Sequence, residues 1–225
     1  MGLRLPVIIV NFKTYEGCFG KEAVKLAKIV EKVAKKTGAS LAVAPNNIDI
    51  YRVSQSVSIP VLAQHVSPIS PGSHTGHVLA QAVKEAGAIG TLLNHAEKMR
   101  SLDVIGQSVA RCREAGLLTV VCADTVESIR GIAGLRPDMI AIEPPELIGG
   151  NISVTAADPV LLERSLKAVK NVADIPVLCG AGVKTGKDVS AAIKIGMKGV
   201  LLASGVTRVA DPEAALLDLV SGLGA

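Results

Sequence analysis

The sequence predicts an α/β protein, a (β/α)8 barrel with shortened or missing outer helices. Short apolar runs alternate along the chain with amphipathic segments, and eight such runs occur, one for each strand of that barrel. The chain is 49% hydrophobic with a mean hydropathy of +0.43, yet no apolar stretch approaches the roughly 18 residues that a membrane span needs. A buried parallel sheet explains this excess, because its strands are apolar on both faces.

Each apolar run has the length of a short strand. The predicted strands are residues 7–10, 41–44, 61–63, 91–93, 118–122, 139–142, 177–179 and 200–203. The clearest helix spans residues 21–36, where apolar residues recur on one face, lysines lie opposite and Gly38 follows as a stop signal. Further helices are predicted at residues 78–86, 107–115, 126–133 and 159–172, and from Thr185 and Asp211, where Pro212 suits a first turn.

The chain length agrees with one compact version of this fold. A chain of 225 residues is shorter than the roughly 250 typical of the barrel, so some helices must be brief or missing, most obviously between Pro45 and Pro60. We expect residues 1–225 to form a single (β/α)8 barrel domain. An open doubly wound sheet is the alternative. A G-x-G-x-x-G segment after the first strand would favour it, but Asn11-Phe12-Lys13 occupies that place.

Composition narrows the function classes. Aromatic residues make up only 2% of the chain and Trp is absent, which disfavours nucleic-acid binding by base stacking. The net charge of +4 gives a mild field from which a small anionic substrate can profit. The four cysteines lack C-x-x-C spacing, and the N-terminus lacks a signal-peptide pattern, so we expect a cytoplasmic protein without a membrane partner.

Polar residues follow several of the predicted strands, and the barrel brings such strand ends to one mouth. They are Asn11 and Lys13 after the first strand, Gln64 and His65 after the third, Asn94, His95 and Glu97 after the fourth, and Glu143 after the sixth. A lysine, a histidine and a glutamate thus converge, without a cluster typical of a metal site. A histidine after an apolar run is more often a hydrogen-bonded structural residue, so it does not by itself indicate catalysis.

Glu143 is the most informative of these residues. Pro144 and Pro145 stiffen one side of the loop that follows it, and paired glycines at 149–150 leave the other side free to bend. This arrangement is typical of a catalytic base beside a hinged lid. An exposed acid before an ordinary turn is the alternative interpretation.

Glycine-rich loops follow the last two predicted strands, at residues 180–182 and 203–205. Glycine lets backbone N–H groups approach an anion closely, and a helix that begins just afterwards adds its positive end. Barrels of this class commonly bind phosphate with these two loops. Tight turns between strand and helix also need glycine, so the pair of loops indicates a phosphate site without proving one.

Three segments resemble signature segments of triosephosphate isomerase. They are N-F-K at residues 11–13, L-N-H-A-E at 93–97 and I-E-P-P-E-L-I-G at 142–149. The short chain and the loops C-G-A-G at 179–182 and L-A-S-G at 202–205 resemble the compact archaeal-type branch of that family. The match runs in order from residue 11 to residue 205, nearly the whole chain.

The resemblance implies an isomerase that interconverts dihydroxyacetone phosphate and D-glyceraldehyde 3-phosphate in glycolysis and gluconeogenesis, with no cofactor and no metal. By this resemblance Glu143 takes a proton from the carbon beside the carbonyl, and His95 polarises the carbonyl and shuttles protons. Lys13 supplies positive charge near the oxyanion and the phosphate, and Asn11 helps to hold the substrate oxygens. The expected phosphate contacts are backbone groups of Ile148, Gly149, Gly182, Ala203, Ser204 and Gly205.

The expected state of His95 follows from what comes after it. A short polar stretch begins there and fits a helical turn, whose N-terminus disfavours the charged imidazolium; triosephosphate isomerase is itself the established example of this effect. Ala96 departs from the family pattern, because many members have a serine there whose hydroxyl holds the resting glutamate. The loop after the seventh strand lacks a serine that often contacts phosphate in this family, so Gly182 would act through its backbone alone. In the lid, Glu146 stands where a tryptophan is common.

Residues 72–77 resemble the protruding loop with which this family reaches a neighbouring subunit. By that resemblance Thr75 supports Asn11 of a partner chain, and we expect a homo-oligomer, with a tetramer favoured and a dimer as the alternative. Missing helices would expose apolar barrel surface for such contacts. An ordinary exposed loop is the alternative.

Two other functions fit a barrel with phosphate-binding loops. One is a different phosphosugar isomerase, epimerase or aldolase. A Schiff-base aldolase commonly needs a lysine on strand six, where this chain has Glu143, and a metal-dependent epimerase needs more His and Asp ligands than the strand ends provide. The other is a non-catalytic barrel that binds a phosphorylated ligand, for which His95 and Glu143 would be dispensable.

Overall fold

Eight parallel strands form one sheet in the computed structural model, which describes residues 3–144 and 159–224. They are β1 (Val7–Asn11), β2 (Ser40–Ala44), β3 (Leu62–Ala63), β4 (Gly90–Leu93), β5 (Leu118–Ala123), β6 (Met139–Ile142), β7 (Val177–Cys179) and β8 (Gly199–Leu202). Their order is β2-β1-β8-β7-β6-β5-β4-β3. A parallel bridge between Val43 and Val61 joins the two outer strands, and the Val43 N–H donates to the Pro60 carbonyl oxygen at 3.0 Å. The predicted (β/α)8 barrel is confirmed.

Alternate strand residues fill the barrel interior. This inner group consists of Val7, Ile9, Ala42, Ala44, Leu62, Leu92, Val120, Cys122, Met139, Ala141, Leu178 and Leu201. The residues between them in each strand, such as Ile8, pack with the helices instead. Because side chains alternate with period two, Asn11 and Glu143 continue the inward series of β1 and β6, directly beyond its last apolar residues. The same alternation that buries the strands therefore aims these polar residues into the mouth.

The helices form the outer layer, and several are short, as predicted. Their bounds are α1 (Lys21–Thr37), α2 (Ile50–Ser54), α3 (Ala80–Glu85), α4 (Leu102–Glu114), α5 (Val126–Gly134), α6 (Pro159–Lys170), α7 (Gly186–Ile195), α8 (Ser204–Thr207) and α9 (Pro212–Ser221). Short 3-10 turns cover Asn47–Asp49, Ala96–Lys98 and Gly222–Gly224. Only one such turn and the five-residue α2 lie between Pro45 and Pro60, where the sequence predicts a brief or missing helix.

Helix starts follow the capping residues. The Thr185 hydroxyl accepts a hydrogen bond from the Asp188 N–H, and the Asp211 carboxylate accepts one from the Ala214 N–H, so both predicted N-caps are confirmed. The predicted start of α4 at residue 107 is wrong, because the helix begins at Leu102. Leu102 is exposed and the first buried residue of α4 is Ile105, so its first turn lacks the apolar periodicity that marks a helix.

The four cysteines are all buried and free of disulfide bonds, which agrees with their interpretation as small buried hydrophobes. Among the described helices, none combines the length and the apolar character that crossing a membrane requires.

Candidate active site

A cleft of about 450 Å³ opens at the carboxyl ends of the strands. It is lined by Asn11, Lys13, Tyr15, His95, Glu143, Gly180, Gly182, Val183, Leu201, Leu202, Ala203 and Ser204. Most of the site residues predicted from the sequence therefore meet in one place. Gly205 is buried within α8 and does not line the cleft. Ile148 and Gly149, together with most of the predicted lid, lie outside the described residues.

Glu143 follows β6 and is almost fully buried, with 3% of its side chain exposed. Its N–H donates to the Ala123 carbonyl oxygen at 2.8 Å, which ties the residue to the end of β5. Burial raises the pKa of this carboxyl group to about 7, while the Cys122 thiol and Lys13 partly offset the rise. The alternative of an exposed strand-end acid is thus wrong, because this carboxyl group is buried and has a basicity suited to proton abstraction near neutral pH.

The Glu143 carboxyl group faces His95. Its Oε1 lies 3.5 Å from Nε2 of His95, and its Oε2 has no hydrogen-bond partner of normal geometry among the residues that the structure describes. A small space beside the carboxyl group is lined by Ala96 and Cys122, among others. Because residue 96 is alanine, it offers no hydroxyl group to the carboxylate. The Cys122 thiol lies beside the carboxylate at this place. Gly180 packs against the other side, because a Cβ there would come within 2.5 Å of Glu143 Cγ.

His95 sits at the N-cap of the 3-10 turn Ala96–Lys98, which confirms the predicted helical turn. Its Nδ1 accepts a hydrogen bond from the Glu97 N–H at 3.2 Å. An imidazole nitrogen that accepts must be unprotonated, so the proton of the neutral ring is on Nε2, the atom that faces Glu143. Burial, together with the nearby Lys13 ammonium, lowers the His95 pKa, although Glu97 opposes this effect. The ring is therefore a neutral donor aimed into the cleft.

Lys13 brings a positive charge to the same cleft. Its Nζ lies 2.7 Å from Oε1 of Glu97, and only 9% of its side chain is exposed. The backbone of Lys13 has a φ of 49°, in the left-handed region that side chains other than glycine rarely adopt. The Lys13 N–H donates to Asn11 Oδ1 at 2.9 Å, and Gln64 Nε2 donates to the Lys13 carbonyl oxygen at 3.0 Å. These bonds hold the unusual turn in place.

Residues of the two glycine-rich loops, which follow β7 and β8, also line the cleft. Gly182 lines it with a φ of 69°, a conformation for which glycine is suited. Ala203 and Ser204 line it at the start of α8, where the first N–H groups of a helix have no partner within the helix. The predicted phosphate loops therefore line the same cleft as Lys13, which follows the strand next to β8, and their N–H groups suit an anionic group.

The sequence did not predict the contacts that three residues make at the site. Cys122 carries a period-two signal, since it is the last inward residue of β5, but nothing in the sequence placed it beside Glu143. Gly180 belongs to a loop interpreted only as a phosphate site, and its contact with Glu143 depends on tertiary packing. Tyr15 lies in the irregular loop after β1, and no local pattern marks it. Among residues 3–144 and 159–224, no group of three or more His, Cys, Asp or Glu side chains is arranged to hold a metal ion.

Comparisons with known proteins agree with this site. A family model described as triosephosphate isomerase matches residues 6–222. The chain is 49% identical to a triosephosphate isomerase of Methanobacterium bryantii over 96% of each chain. It is 45% identical to one of Methanocaldococcus jannaschii, over 95% of this chain and 98% of that protein. It is 48% identical to one of Methanothermobacter thermautotrophicus, over 96% and 95% respectively. The resemblance to triosephosphate isomerase that the sequence segments indicate is confirmed.

Proposed function

The chain belongs to the triosephosphate isomerase family and interconverts dihydroxyacetone phosphate and D-glyceraldehyde 3-phosphate, and we propose that Glu143 and His95 carry the reaction. One observation supports these roles above all others. A buried carboxyl group with a pKa of about 7 lies 3.5 Å from the protonated nitrogen of a neutral imidazole. A base and a hydrogen-bond donor so placed can act on adjacent atoms of one small substrate.

The proposed first step is a proton transfer from carbon. The Glu143 carboxylate takes a proton from the carbon beside the carbonyl, and the electron pair of the broken C–H bond forms the enediolate double bond. Negative charge develops on the carbonyl oxygen, where the His95 Nε2–H donates. Glu143 then returns the proton to the neighbouring carbon, after His95 has moved a proton between the two oxygens. Metal ions and cofactors have no part in this scheme.

Lys13, Asn11 and the glycine-rich loops position the substrate in this proposal. The Lys13 ammonium stabilises the developing oxyanion and the substrate phosphate, and Asn11 holds a substrate oxygen while it braces the Lys13 turn. The phosphate lies against backbone N–H groups of Gly182, Ala203 and Ser204, which line the cleft. Ile148 and Gly149, which lie outside the described residues, complete this set by resemblance alone.

The function is tested by a coupled assay on the purified chain. D-glyceraldehyde 3-phosphate is supplied, and the dihydroxyacetone phosphate that forms is reduced by a coupling dehydrogenase with loss of NADH absorbance. Pentose phosphates and fructose bisphosphate serve as competing substrates, so that another isomerase or an aldolase would be identified. Turnover of one of those compounds with none of the triose phosphate would contradict the proposal.

The first prediction concerns pH. Because only the carboxylate form of Glu143 accepts a proton, and its pKa is about 7, we expect kcat/KM to fall about tenfold per pH unit below pH 7 and to level off above it. Burial and the nearby Lys13 ammonium lower the His95 pKa from its ordinary value, so the imidazole gains its proton at a lower pH than an exposed histidine does. Initial rates between pH 5 and 9 measure the profile.

Unphosphorylated D-glyceraldehyde is the control for this profile, because the phosphate of the normal substrate also gains a proton in acid. An acid limb that persists with D-glyceraldehyde belongs to the enzyme. A profile that stays flat down to pH 5 with both substrates would exclude a Glu143 pKa near 7.

We also propose that the chain works in the cytoplasm, in glycolysis and gluconeogenesis, as one barrel domain per chain in a homotetramer. Four buried thiols without disulfide bonds fit a reducing compartment. The loop at residues 72–77 is exposed throughout, as an arm that contacts a neighbouring subunit would be in an isolated chain. Near the cleft Ile48, Tyr51 and Phe19 are 87%, 63% and 55% exposed, an apolar surface that suits contact with a second copy.

The second prediction tests this apolar surface. We expect Ile48→Asp to shift the wild-type tetramer to smaller species, because a carboxylate in an apolar interface would be desolvated without a partner. Light scattering coupled to size-exclusion chromatography measures the mass. Val172→Asp is the matched control, since Val172 is 45% exposed just beyond the C-terminus of α6, and its mass should equal the wild type. A monomeric wild type would overturn the proposal.

A further inference from the structure

Tyr15 lines the cleft between two cationic side chains. The Lys13 Nζ lies 6.0 Å from the centroid of its ring, and the Arg208 guanidinium carbon lies 5.6 Å from the same centroid. The face of an aromatic ring carries negative charge and attracts cations within about 6 Å. We propose that Tyr15 is a positioning residue that holds the Lys13 ammonium and joins the loop after β1 to the anion-binding loop after β8. The inference deepens the proposed function and rests on it.

Lys13 needs such support, because its own backbone does not fix its side chain. The residue has a φ of 49°, and it begins an irregular loop that runs to the start of α1. Among the described residues its ammonium forms one salt bridge, with Glu97, whose side chain is 58% exposed and can sample other positions. The ring of Tyr15 is half-buried and packs against the core, so it is a more rigid partner than Glu97. A cation held between the two has a defined place in the cleft.

The same ring connects two parts of the site that are distant in sequence. Arg208 follows α8 directly, and its N–H donates to the Ser204 carbonyl oxygen at 3.3 Å. A second contact runs in parallel, since the Cys18 thiol lies 3.9 Å from the Thr207 carbonyl oxygen. The Cys18 N–H also donates to the Tyr15 carbonyl oxygen at 3.0 Å, so Tyr15 and Cys18 belong to one turn. This turn therefore docks on the segment 204–208.

The contacts of Tyr15 thus fix the distance between the Lys13 ammonium and the N–H groups of the loop after β8. Lys13 and Ser204 follow the neighbouring strands β1 and β8, and both line the cleft together with Tyr15. A tetrahedral dianion bound by the N–H groups of the loop after β8 would feel the Lys13 charge at a distance that Tyr15 sets. Tyr15 thus acts on the affinity for the phosphate group, whereas Glu143 and His95 act on the bond changes.

The third prediction tests this role with inorganic phosphate as the probe. We expect Tyr15→Leu to raise both the Kd for phosphate, measured by calorimetry at pH 7.5, and the KM for triose phosphate by about tenfold, because a cation–π contact is worth up to about that factor. We expect kcat to fall by a smaller factor than KM rises, since Lys13 also stabilises the developing oxyanion. The Tyr15→Phe variant keeps the aromatic ring, so its phosphate Kd and its KM should lie within about twofold of the wild-type values. Thermal melting of each variant checks the fold.

A double variant separates positioning from a general loss of structure. In a Lys13→Met background, Tyr15→Leu should have no further effect on the phosphate Kd, since the cation that the ring positions is gone. An equal effect in both backgrounds, or an unchanged Kd in Tyr15→Leu, overturns the inference. Phosphate binding needs no turnover, so a wild type that binds phosphate but does not isomerise triose phosphates would contradict the proposed function instead.

Discussion

The Glu143→Asp variant should fold as the wild type does and lose about 10²- to 10³-fold in kcat/KM. The shorter side chain withdraws the carboxylate from the substrate carbon by about one bond length, and misplacement by about 1 Å costs on the order of 10²-fold in rate. General base catalysis itself contributes about 10²- to 10⁴-fold, so only part of it survives. The coupled assay measures the loss, and circular dichroism with thermal melting checks the fold. A near-normal rate would remove Glu143 from the role of base.

Glu143→Gln supplies the control for stability. Folding raises the pKa of this carboxyl group from its ordinary 4.5 to about 7, so the folded protein binds the proton more tightly than the unfolded chain. The stabilisation that comes from this proton is complete below pH 4.5 and is lost as the pH rises through 7. At pH 8 the wild type therefore buries a charge that the glutamine variant lacks. We expect the variant to have a higher free energy of unfolding at pH 8, by up to about 3 kcal/mol, and no advantage at pH 4.5.

The strand that carries Glu143 could be predicted from the sequence, whereas the surroundings of its carboxyl group could not. The run Met139–Ile142 is apolar at every position, which predicts a buried strand, and period two then places Glu143 in the mouth. Burial raises its pKa, and the Cys122 thiol on β5 partly offsets the rise, while Gly180 after β7 packs against its Cγ. Neither residue is near Glu143 in sequence. The pairing of β6 with its neighbours β5 and β7 brings them together.

Backbone conformation limited prediction at the other strand ends. Asn94 has a φ of 57°, an irregularity that ends the regular strand before His95. Lys13 turns in the same way after β1. Such left-handed residues leave no reliable mark in the sequence when they are not glycine, because their strain is offset by contacts such as those of Gln64. The residue types at the mouth were therefore predictable, whereas their mutual geometry was not.

The tautomer of His95 is a further case, and it decides what the last variant should do. Helical propensity in the sequence suggested a neutral ring, but which nitrogen bears the proton depends on one hydrogen bond, from the Glu97 N–H to Nδ1. That bond leaves Nε2–H to face Glu143 and the cleft. A glutamine at this position keeps an N–H donor of similar reach but does not relay protons between two oxygens.

We therefore expect His95→Gln to lower kcat by about 10²- to 10³-fold, because glutamine cannot move a proton between the two oxygens and general acid–base catalysis contributes about 10²- to 10⁴-fold. His65→Gln is the matched control, because His65 is partly buried outside the cleft, and its rate should stay within about threefold of the wild type. The pH profile gives the sharper test. Since burial, Cys122, Lys13 and Glu97 set the pKa of Glu143, the acid limb near pH 7 should persist in His95→Gln at its lower rate. An acid limb that disappears with His95 would assign the titration to the imidazole and would reverse the roles of the two residues.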